Sequence, residues 1–248
     1  MQLTKKQIER YSRQIILKDI GPIGQKKLSN SRVLVVGAGG LGSPVLMYLA
    51  GTGIGNLGIV DDDEVHISNL HRQVLFDTSN IKKSKSKIAF SKIKKINPNI
   101  SVNYFKTRLL KNNINKIAKN FDILIDGSDN FKTKFLLNDY CIKNKKILIV
   151  GAINKFDGQI LTLNFNKKNS PCLRCFYQSI PSDELLNCER DGVIGPIAGV
   201  IGSIQANETI KEILKIGKSL CGYILIINTL NLDFRKIKLN KREKCICN

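Results

Sequence analysis

Short apolar runs alternate with longer segments of helical periodicity along the first 165 residues. Apolar residues that recur every three or four positions indicate helices, and continuous runs of Val, Ile and Leu indicate strands buried on both faces. The predicted strands are Arg32–Val36, Leu57–Val60, Ile100–Tyr104, Phe121–Asp126 and Ile147–Val150. The predicted helical segments are Thr4–Leu17, the residues after Gly42, the basic stretch Lys82–Lys95, and Lys134–Asn144. This alternation is typical of βαβ units and a parallel sheet.

The last third of the chain has a different pattern. A strand over Gly158–Asn164 begins a more antiparallel part, and Gly222–Leu232 is predicted to form a strand pair that closes the sheet. Between them, Pro171–Gly195 is a long, polar connection that contains cysteines, and such loops are usually functional. We therefore predict an α/β fold with a Rossmann-like doubly wound sheet, parallel in its N-terminal half and more antiparallel in its C-terminal half. A single domain accounts for all 248 residues.

A glycine-rich turn directly follows the first predicted strand. Gly37, Gly39, Gly40 and Gly42 give a backbone that can turn tightly and approach a phosphate at a helix N-terminus. Asp61 follows the second strand about twenty residues on, where a carboxylate can bind a ribose hydroxyl. Nicotinamide, flavin and adenosine phosphate binders all use this arrangement, so the glycines alone leave a redox cofactor and ATP equally open.

Three polar residues beyond Asp61 favour ATP. Asn69, Arg72 and Gln73 stand at helical spacing behind Ser68, which could cap a short helix, so they would share one face near the glycine turn. A nucleoside triphosphate that loses pyrophosphate has a use for a second, basic phosphate contact there, whereas hydride transfer has none. A solvated polar helix face is the alternative explanation of the same residues.

Charge and composition exclude several classes of function. The net charge is +20, but the lysines are scattered from Lys5 to Lys244 among many Asn and Ile, and no nucleic-acid-binding signature accompanies them. We therefore expect no nucleic-acid partner and a surface that suits an acidic protein. The apolar stretch Gly192–Ala206 is interrupted by glycine and proline and is too short for a membrane span. The first residues lack the apolar core of a signal peptide, so we expect a cytoplasmic protein without membrane association.

Four of the seven cysteines form two close pairs. Cys172 and Cys175 have the C-x-x-C spacing that lets two thiolates reach one zinc ion, and Cys245 and Cys247 would complete a tetrahedral structural site. The C-x-C spacing of the second pair is one residue shorter than usual and strains that geometry. Two unrelated pairs of reduced thiols are the alternative.

Motifs spread over nearly the whole chain resemble those of one family. They are RYSRQ at 10–14, GAGGLG at 37–42, DDDEV at 61–65, SNLHRQ at 68–73, DGSDN at 126–130, GA at 151–152, GQ at 158–159 and GVIGP at 192–196. Together they resemble the ubiquitin-activating-enzyme-like adenylyltransferases, the ThiF/MoeB/HesA family, and specifically the bacterial activators of sulfur carriers for thiamine and molybdopterin synthesis. The resemblance implies one adenylation domain over residues 1–248. Its nucleotide-binding half would be 1–165, and its second half, 166–248, would hold a crossover loop, the carrier-binding sheet and the zinc site.

The resemblance also implies a reaction and its participants. The C-terminal glycine carboxylate of a small ubiquitin-fold sulfur carrier, ending in Gly-Gly, would attack the α-phosphate of ATP to give an acyl adenylate and pyrophosphate. Magnesium and a structural zinc would be the cofactors. A homodimer and a sulfurtransferase would be the further partners. A carboxylate is a sufficient nucleophile, so no general base would be required.

By the same resemblance, the glycine turn would cradle the nucleotide and Asp61 would bind its ribose. The residues expected to bind the nucleotide phosphates are Asn69, Arg72 and Lys85. Asp129 would hold magnesium. Positive charge from guanidinium, ammonium and magnesium would then stabilise a pentavalent phosphorus.

Arg13 matches an arginine that in this family reaches into the neighbouring subunit's site, which implies the homodimer. Cys188 matches a cysteine of the long loop that lies near the carrier tail in many relatives, where it would form a covalent sulfur-transfer intermediate or be dispensable. The chain departs from the family pattern at Lys134, which replaces an arginine and loses its bidentate fork, at Ser84, which replaces a proline, and at the shortened cysteine pair.

Two other functions stay open from the sequence. A tRNA-modifying relative of the same fold would adenylate a carboxylate on an anticodon-loop base, and the net charge would suit it. A non-catalytic Rossmann scaffold that binds RNA or protein is the second. The paired cysteines favour the carrier branch, and the sequence DDDEVHIS at 61–68 favours thiamine-thiazole supply over molybdopterin supply.

Overall fold

The computed structural model describes residues 3–177, 179–182 and 191–247. The strands are β1 Arg32–Val36, β2 Asn56–Val60, β3 Ser101–Phe105, β4 Ile123–Asp126, β5 Ile147–Asn154, β6 Asp157–Asn164, β7 Tyr223–Asn228 and β8 Asp233–Lys238. The helices are α1 Lys5–Ile15, α2 Gly21–Asn30, α3 Gly42–Thr52, α4 Lys85–Ile96, α5 Ile114–Ala118, α6 Phe131–Lys143, α7 Leu173–Phe176 and α8 Gly195–Leu214. Short 3₁₀ helices lie at Ile67–Asn69 and Thr78–Asn80.

The strands join in one sheet of order β3-β2-β1-β4-β5-β6-β7-β8. The pairs from β3 to β5 are parallel, and the pairs from β5 to β8 are antiparallel. The predicted α/β class, with a parallel first half and an antiparallel second half, is confirmed. Because β1 pairs with both β2 and β4, the strand order reverses beside it, and the carboxyl ends of the parallel strands open a crevice there.

Helices cover both faces of the sheet. One face packs against α3, α4 and α8 through a buried cluster that includes Leu49, Ile93 and Ile201. The other face packs against α5 and α6 through a second cluster that includes Ile117 and Phe135. Two separate apolar layers flank the strands, as in a doubly wound fold.

Helix α8 holds the glycine-rich turn in place. It is 20 residues long and begins with Pro196 in its first turn, where a missing N–H costs no helical hydrogen bond. A Cβ at Gly202 would lie 2.5 Å from the carbonyl oxygen of Leu41, so only glycine lets α8 approach the start of α3 this closely. Within the described ranges, no helix is both long enough and apolar enough to cross a bilayer.

Several predicted boundaries were wrong: helix α4 begins at Lys85 rather than Lys82, and β5 continues to Asn154 rather than ending at Val150. Only β7 lies within Gly222–Leu232, and the closing strand β8 begins at Asp233; all six of its residues are exposed, so it lacks the apolar pattern of a buried strand. Helix α6 begins at Phe131 rather than Lys134. Asn130 caps it by accepting a 2.9 Å hydrogen bond from the backbone N of Thr133, and a side-chain cap of this kind sets a helix start independently of apolar periodicity.

Candidate active site

A cavity of about 620 Å³ opens at the carboxyl ends of the parallel strands. Residues that follow β1, β2, β3 and β4, together with two residues of β5, line it. Its size is within the range of roughly 300–1,000 Å³ that small-molecule sites have, and open α/β sheets bind their ligands at this place. It is the candidate active site.

The glycine turn between β1 and α3 forms one wall, and its shape requires glycine. Gly37 has a φ of +90°, and a Cβ there would lie 2.7 Å from the carbonyl oxygen of Gly127. A Cβ at Gly42 would lie 1.9 Å from the carbonyl oxygen of Gly37. Gly42 therefore shapes the turn without lining the cavity, whereas Gly39 and Gly40 line it. Backbone near the N-terminus of α3 is thus accessible to an anion.

Asp61 follows β2 and forms the adjoining wall. Its Oδ2 accepts a 2.7 Å hydrogen bond from the backbone N of Ala38, and its Oδ1 accepts one of 2.9 Å from the backbone N of Asp63. Burial raises the pKa of Asp61, against the opposing effect of these N–H groups and of Lys85. The carboxylate connects β2 to the glycine turn and lines the cavity where a ribose hydroxyl could reach it.

Lys85 is the first residue of α4, and it lines the cavity although its side chain is almost fully buried. Its Nζ lies 2.6 Å from Oδ2 of Asp63, and its backbone N donates a 3.0 Å hydrogen bond to the carbonyl oxygen of Asp63. Burial alone would raise the pKa of Asp63, but the hydrogen bond and charge of Lys85 outweigh it and hold that pKa below its usual value. Ser84 caps the helix through a 3.5 Å hydrogen bond from the backbone N of Lys87, so the serine at this position still starts α4.

The predicted short helix over residues 69–73 is not present. A single 3₁₀ turn ends at Asn69 instead, and its N-cap is His66 rather than Ser68. The side-chain oxygen of Asn69 accepts a 3.4 Å hydrogen bond from the backbone N of His66, and Asn69 does not line the cavity. Spacing alone missed this because a buried Asn that bonds its own turn competes with continued helix.

Arg72 and Gln73 do line the cavity, beside the glycine turn. Arg72 Nη1 donates a 3.1 Å hydrogen bond to the carbonyl oxygen of Ser68, and the Arg72 Cγ lies 3.6 Å from the position that a Cβ at Gly40 would take. The buried Oε1 of Gln73 has no hydrogen-bond partner in residues 3–177, 179–182 and 191–247. An unpaired buried acceptor costs on the order of 1–3 kcal/mol, and a ligand that donates a hydrogen bond would remove that cost. This part of the site therefore offers a ligand both a cation and an unpaired amide oxygen.

Lys134 organises the end of β4. Its Nζ donates hydrogen bonds to Oδ2 of the buried Asp126 at 2.8 Å, to the carbonyl oxygen of Ser128 at 2.8 Å and to that of Gly151 at 2.7 Å. These three acceptors use all three donors of the ammonium group. The ammonium of Lys134 therefore links the ends of β4 and β5, although the residue also lines the cavity.

Asp129 lines the same part of the cavity and is exposed. Its Oδ1 accepts a 3.3 Å hydrogen bond from Nδ2 of Asn130. It forms no ion pair with a residue that the structure describes, whereas Asp126 is paired with Lys134. A carboxylate without an ion-pair partner beside a phosphate site is the kind of ligand that magnesium prefers.

Arg13, like Gly42 and Asn69, does not line this cavity; it is exposed in the last turn of α1. Cys188 lies outside the described residues. No sequence motif pointed to Thr107, Arg108 and Leu109, which follow β3 and line the cavity. Their place directly after a parallel strand was the signal that could have identified them, because neighbouring parallel strands end at one edge.

The four paired cysteines form one cluster. All four Sγ atoms lie within 4.8 Å of one another, with Cys172 at 3.9 Å from Cys175 and 3.4 Å from Cys245, and Cys175 at 3.6 Å from Cys247. Tetrahedral zinc with bonds of about 2.3 Å requires sulfur separations of roughly 3.8 Å. The thiols therefore fit one zinc ion despite the shortened spacing. Burial raises the pKa of the Cys172 thiol, and none of the four lines the cavity.

A family model described as the ThiF family matches residues 11–247. The chain belongs to the ThiF family. One relative is a sulfur carrier protein adenylyltransferase of Thermus thermophilus, 39% identical over 249 residues that cover 99% of this chain and 92% of that protein. A probable molybdopterin-synthase adenylyltransferase of Porphyra purpurea is 45% identical over 93% of this chain and 60% of that protein.

Other relatives of this ThiF-family chain are longer. The adenylyltransferase and sulfurtransferase MOCS3 of Culex quinquefasciatus is 44% identical, and the match covers 98% of this chain but 56% of that protein. The fold matches that of E. coli MccB, solved with ATP, with a TM-score of 0.84 at 24% identity over 99% of this chain and 75% of that one. Family and relatives together identify an adenylyltransferase that uses ATP.

Proposed function

We propose that this enzyme adenylates the C-terminal glycine of a small ubiquitin-fold sulfur carrier that ends in Gly-Gly. A carboxylate oxygen of that glycine attacks the α-phosphorus of ATP, the bond from that phosphorus to pyrophosphate breaks, and an acyl adenylate forms. The observation that carries this proposal is a single cavity in which the glycine turn, Arg72, Lys85 and the unpaired Asp129 meet. The glycine carboxylate is ionised at neutral pH, so no protein base is needed.

Different residues around the cavity bind different parts of the nucleotide. The glycine turn receives the phosphates and Asp61 the ribose, while Arg72 and Lys85 neutralise the charge that develops at the pentavalent phosphorus. Magnesium would be held by Asp129 and would supply further positive charge. Asn69 does not line the cavity, and its proposed role is to support the turn that carries Arg72. Its carbonyl oxygen accepts hydrogen bonds from the backbone N of Arg72 at 3.1 Å and from that of Gln73 at 2.9 Å.

The pathway of the carrier is a finer part of the proposal. We favour thiamine-thiazole supply, on the sequence DDDEVHIS at 61–68, over molybdopterin supply, the pathway in the name of the Porphyra relative. A sulfurtransferase is the proposed further partner, because the name of a relative that matches 98% of this chain includes that activity. The role of Cys188 in sulfur transfer stays a prediction.

We further propose a homodimer in which Arg13 of one subunit completes the site of the other. Arg13 does not line the cavity of its own chain. Near it, α1, α2 and their connection expose Ile16, Leu17 and Ile23 by more than half. Large apolar side chains grouped on a surface usually mark an interaction site. A second copy that covers them is expected to bring Arg13 to the partner's cavity.

The cysteine cluster is proposed to hold one structural zinc. Four thiolate ligands leave no open position for water or substrate, so the metal would stabilise the fold and take no part in adenylation. We expect about one zinc per chain with four sulfur ligands near the usual distance of roughly 2.3 Å, measured by metal analysis and X-ray absorption. Cys172→Ser should release the zinc and lower stability, while the folded fraction still binds ATP. Zinc-free protein with full stability and activity would contradict this proposal.

Exchange of labelled pyrophosphate into ATP tests the function. The enzyme is mixed with magnesium, ATP and either a thiamine-type or a molybdopterin-type carrier, and each carrier is matched with a version that lacks its last glycine. Exchange is expected with one intact carrier and with neither shortened one. No exchange with any carrier, or exchange that NAD supports in place of ATP, refutes the proposal. Exchange driven by tRNA would instead indicate the tRNA-modifying branch.

A further inference from the structure

We propose that Arg108 recognises the base of the nucleotide, with its guanidinium plane stacked on the purine at the β3 end of the cavity. The residue would determine affinity for the nucleoside part of the substrate rather than for its phosphates. This inference rests on the proposed ATP-dependent function and adds to it a residue that neither the sequence motifs nor the family roles include.

Arg108 differs from the other cations around the cavity in its partners. Lys85, Lys134 and Arg72 each donate a hydrogen bond to another residue of the protein. The guanidinium of Arg108 is exposed and has no hydrogen bond or ion pair with any residue in the described ranges. Its backbone is nevertheless held in place, because Nδ2 of Asn113 donates a 2.8 Å hydrogen bond to its carbonyl oxygen. A cation with a fixed backbone and an uncommitted head group is available to a ligand.

The order of the strands indicates which part of the ligand it meets. Strands β1, β2 and β3 are consecutive in the sheet, and adjacent strands lie about 4.8 Å apart. The glycine turn follows β1, Asp61 follows β2 and Arg108 follows β3. The backbone N of Asp61 donates a 3.2 Å hydrogen bond to the carbonyl oxygen of Phe105, which keeps the segments that follow β2 and β3 side by side. A nucleotide with phosphates at the glycine turn and ribose at Asp61 therefore points its base toward Arg108.

The surroundings of Arg108 suit a flat, mostly apolar group. Leu109 and Val60 are buried residues that line the cavity near it and provide an apolar floor. A guanidinium group is planar, weakly hydrated and able to stack on an aromatic ring. A base between the apolar floor and this plane would be covered on both faces. Lysine would supply the same charge without the plane, so the two side chains should behave differently here.

Calorimetric binding of two probes separates base recognition from phosphate recognition. Adenosine reports the nucleoside part, and inorganic tripolyphosphate reports the phosphate part; ATP binding to the wild type is measured first. The variants are Arg108→Ala and Arg108→Lys. Lys106→Ala is the matched control, because Lys106 is an exposed cation of the same loop, lies 3.5 Å from Glu64 and does not line the cavity. Thermal unfolding confirms that each variant is folded.

Both Arg108 variants are expected to lower the affinity for adenosine and for ATP about tenfold and to leave the affinity for tripolyphosphate unchanged. The Lys106→Ala control should change none of these affinities. Adenosine affinity equal to wild type in Arg108→Ala would overturn the inference. A lower affinity for tripolyphosphate with an unchanged affinity for adenosine would make Arg108 a phosphate contact. Wild-type adenosine affinity in Arg108→Lys would exclude stacking. Each of these two results would also overturn the inference. Wild-type protein that binds no ATP would refute the proposed function itself, a result distinct from failure of Arg108 alone.

Discussion

Replacing Lys134 by methionine should be among the most destabilising single changes in this protein. Lys134 is 2% exposed, and its ammonium contacts the carboxylate of the fully buried Asp126 and two carbonyl oxygens at the strand ends. Methionine keeps the methylene chain and its packing, so the change removes the charge and three hydrogen bonds without leaving a large cavity. The loss of stability is therefore electrostatic in origin.

The magnitude follows from what remains around Asp126. Its Oδ1 still accepts a 3.1 Å hydrogen bond from the backbone N of Ser128 and a 2.6 Å hydrogen bond from the Ser128 hydroxyl, but Oδ2 loses its cation. An uncompensated buried charge left by removal of one partner costs about 3–5 kcal/mol. We expect a loss of that size in the free energy of unfolding. Removing both charges, in Asp126→Asn with Lys134→Met, should cost less than the sum of the two single changes.

Equilibrium unfolding in urea, followed by far-ultraviolet circular dichroism, measures these differences. Lys132→Met is the matched control, because Lys132 is exposed on the same helix, and its change should be within about 0.5 kcal/mol of zero. A cost below about 1 kcal/mol for Lys134→Met would refute the reasoning. Strict additivity in the double variant would also refute it, since it would mean that the two groups do not stabilise each other.

Replacing Arg72 or Asp129 by alanine should slow carrier-dependent exchange by about a hundredfold or more with the fold retained, because each removes charge stabilisation made mainly in the transition state. Near-wild-type exchange in either variant would contradict these roles. Mixed dimers of Arg13→Ala and Asp129→Ala subunits should recover part of the activity; no recovery in heterodimers shown to have formed would argue against a shared site. Asp63→Asn should lower the free energy of unfolding at neutral pH, because the folded-state pKa of Asp63 is held low by Lys85. That difference should begin to shrink below the unfolded pKa of about 4 and be lost as the pH falls through the folded pKa, as urea unfolding at several pH values would show; a difference that grows toward low pH would contradict it.

The sequence by itself determined the architecture and the core of the candidate site. Runs of buried apolar residues identified β1, β2 and β4 to within two residues, because a strand covered on both faces has a local signal. The glycines at 37 and 42 also give a local signal. A Cβ at either position would lie within 2.7 Å of a backbone carbonyl oxygen, so only glycine is tolerated there. Residues that follow such strands meet at one edge of the sheet, and Asp61 and Asp129 both line the cavity there.

Only the tertiary structure decided which distant side chains meet. The cysteine pairs are about seventy residues apart, and their spacing could not show that four sulfur atoms converge within 4.8 Å, since that depends on where β8 ends relative to α7. Lys134 meets acceptors from β4, its loop and β5, and Arg108 lines a cavity formed by five strand ends. Strand β8 and the turn at Asn69 escaped the sequence pattern, because exposed strands and side chains that bond their own turn carry no apolar period. Periodicity reports which face of an element is buried, and the partners of a polar side chain are set by how those elements pack.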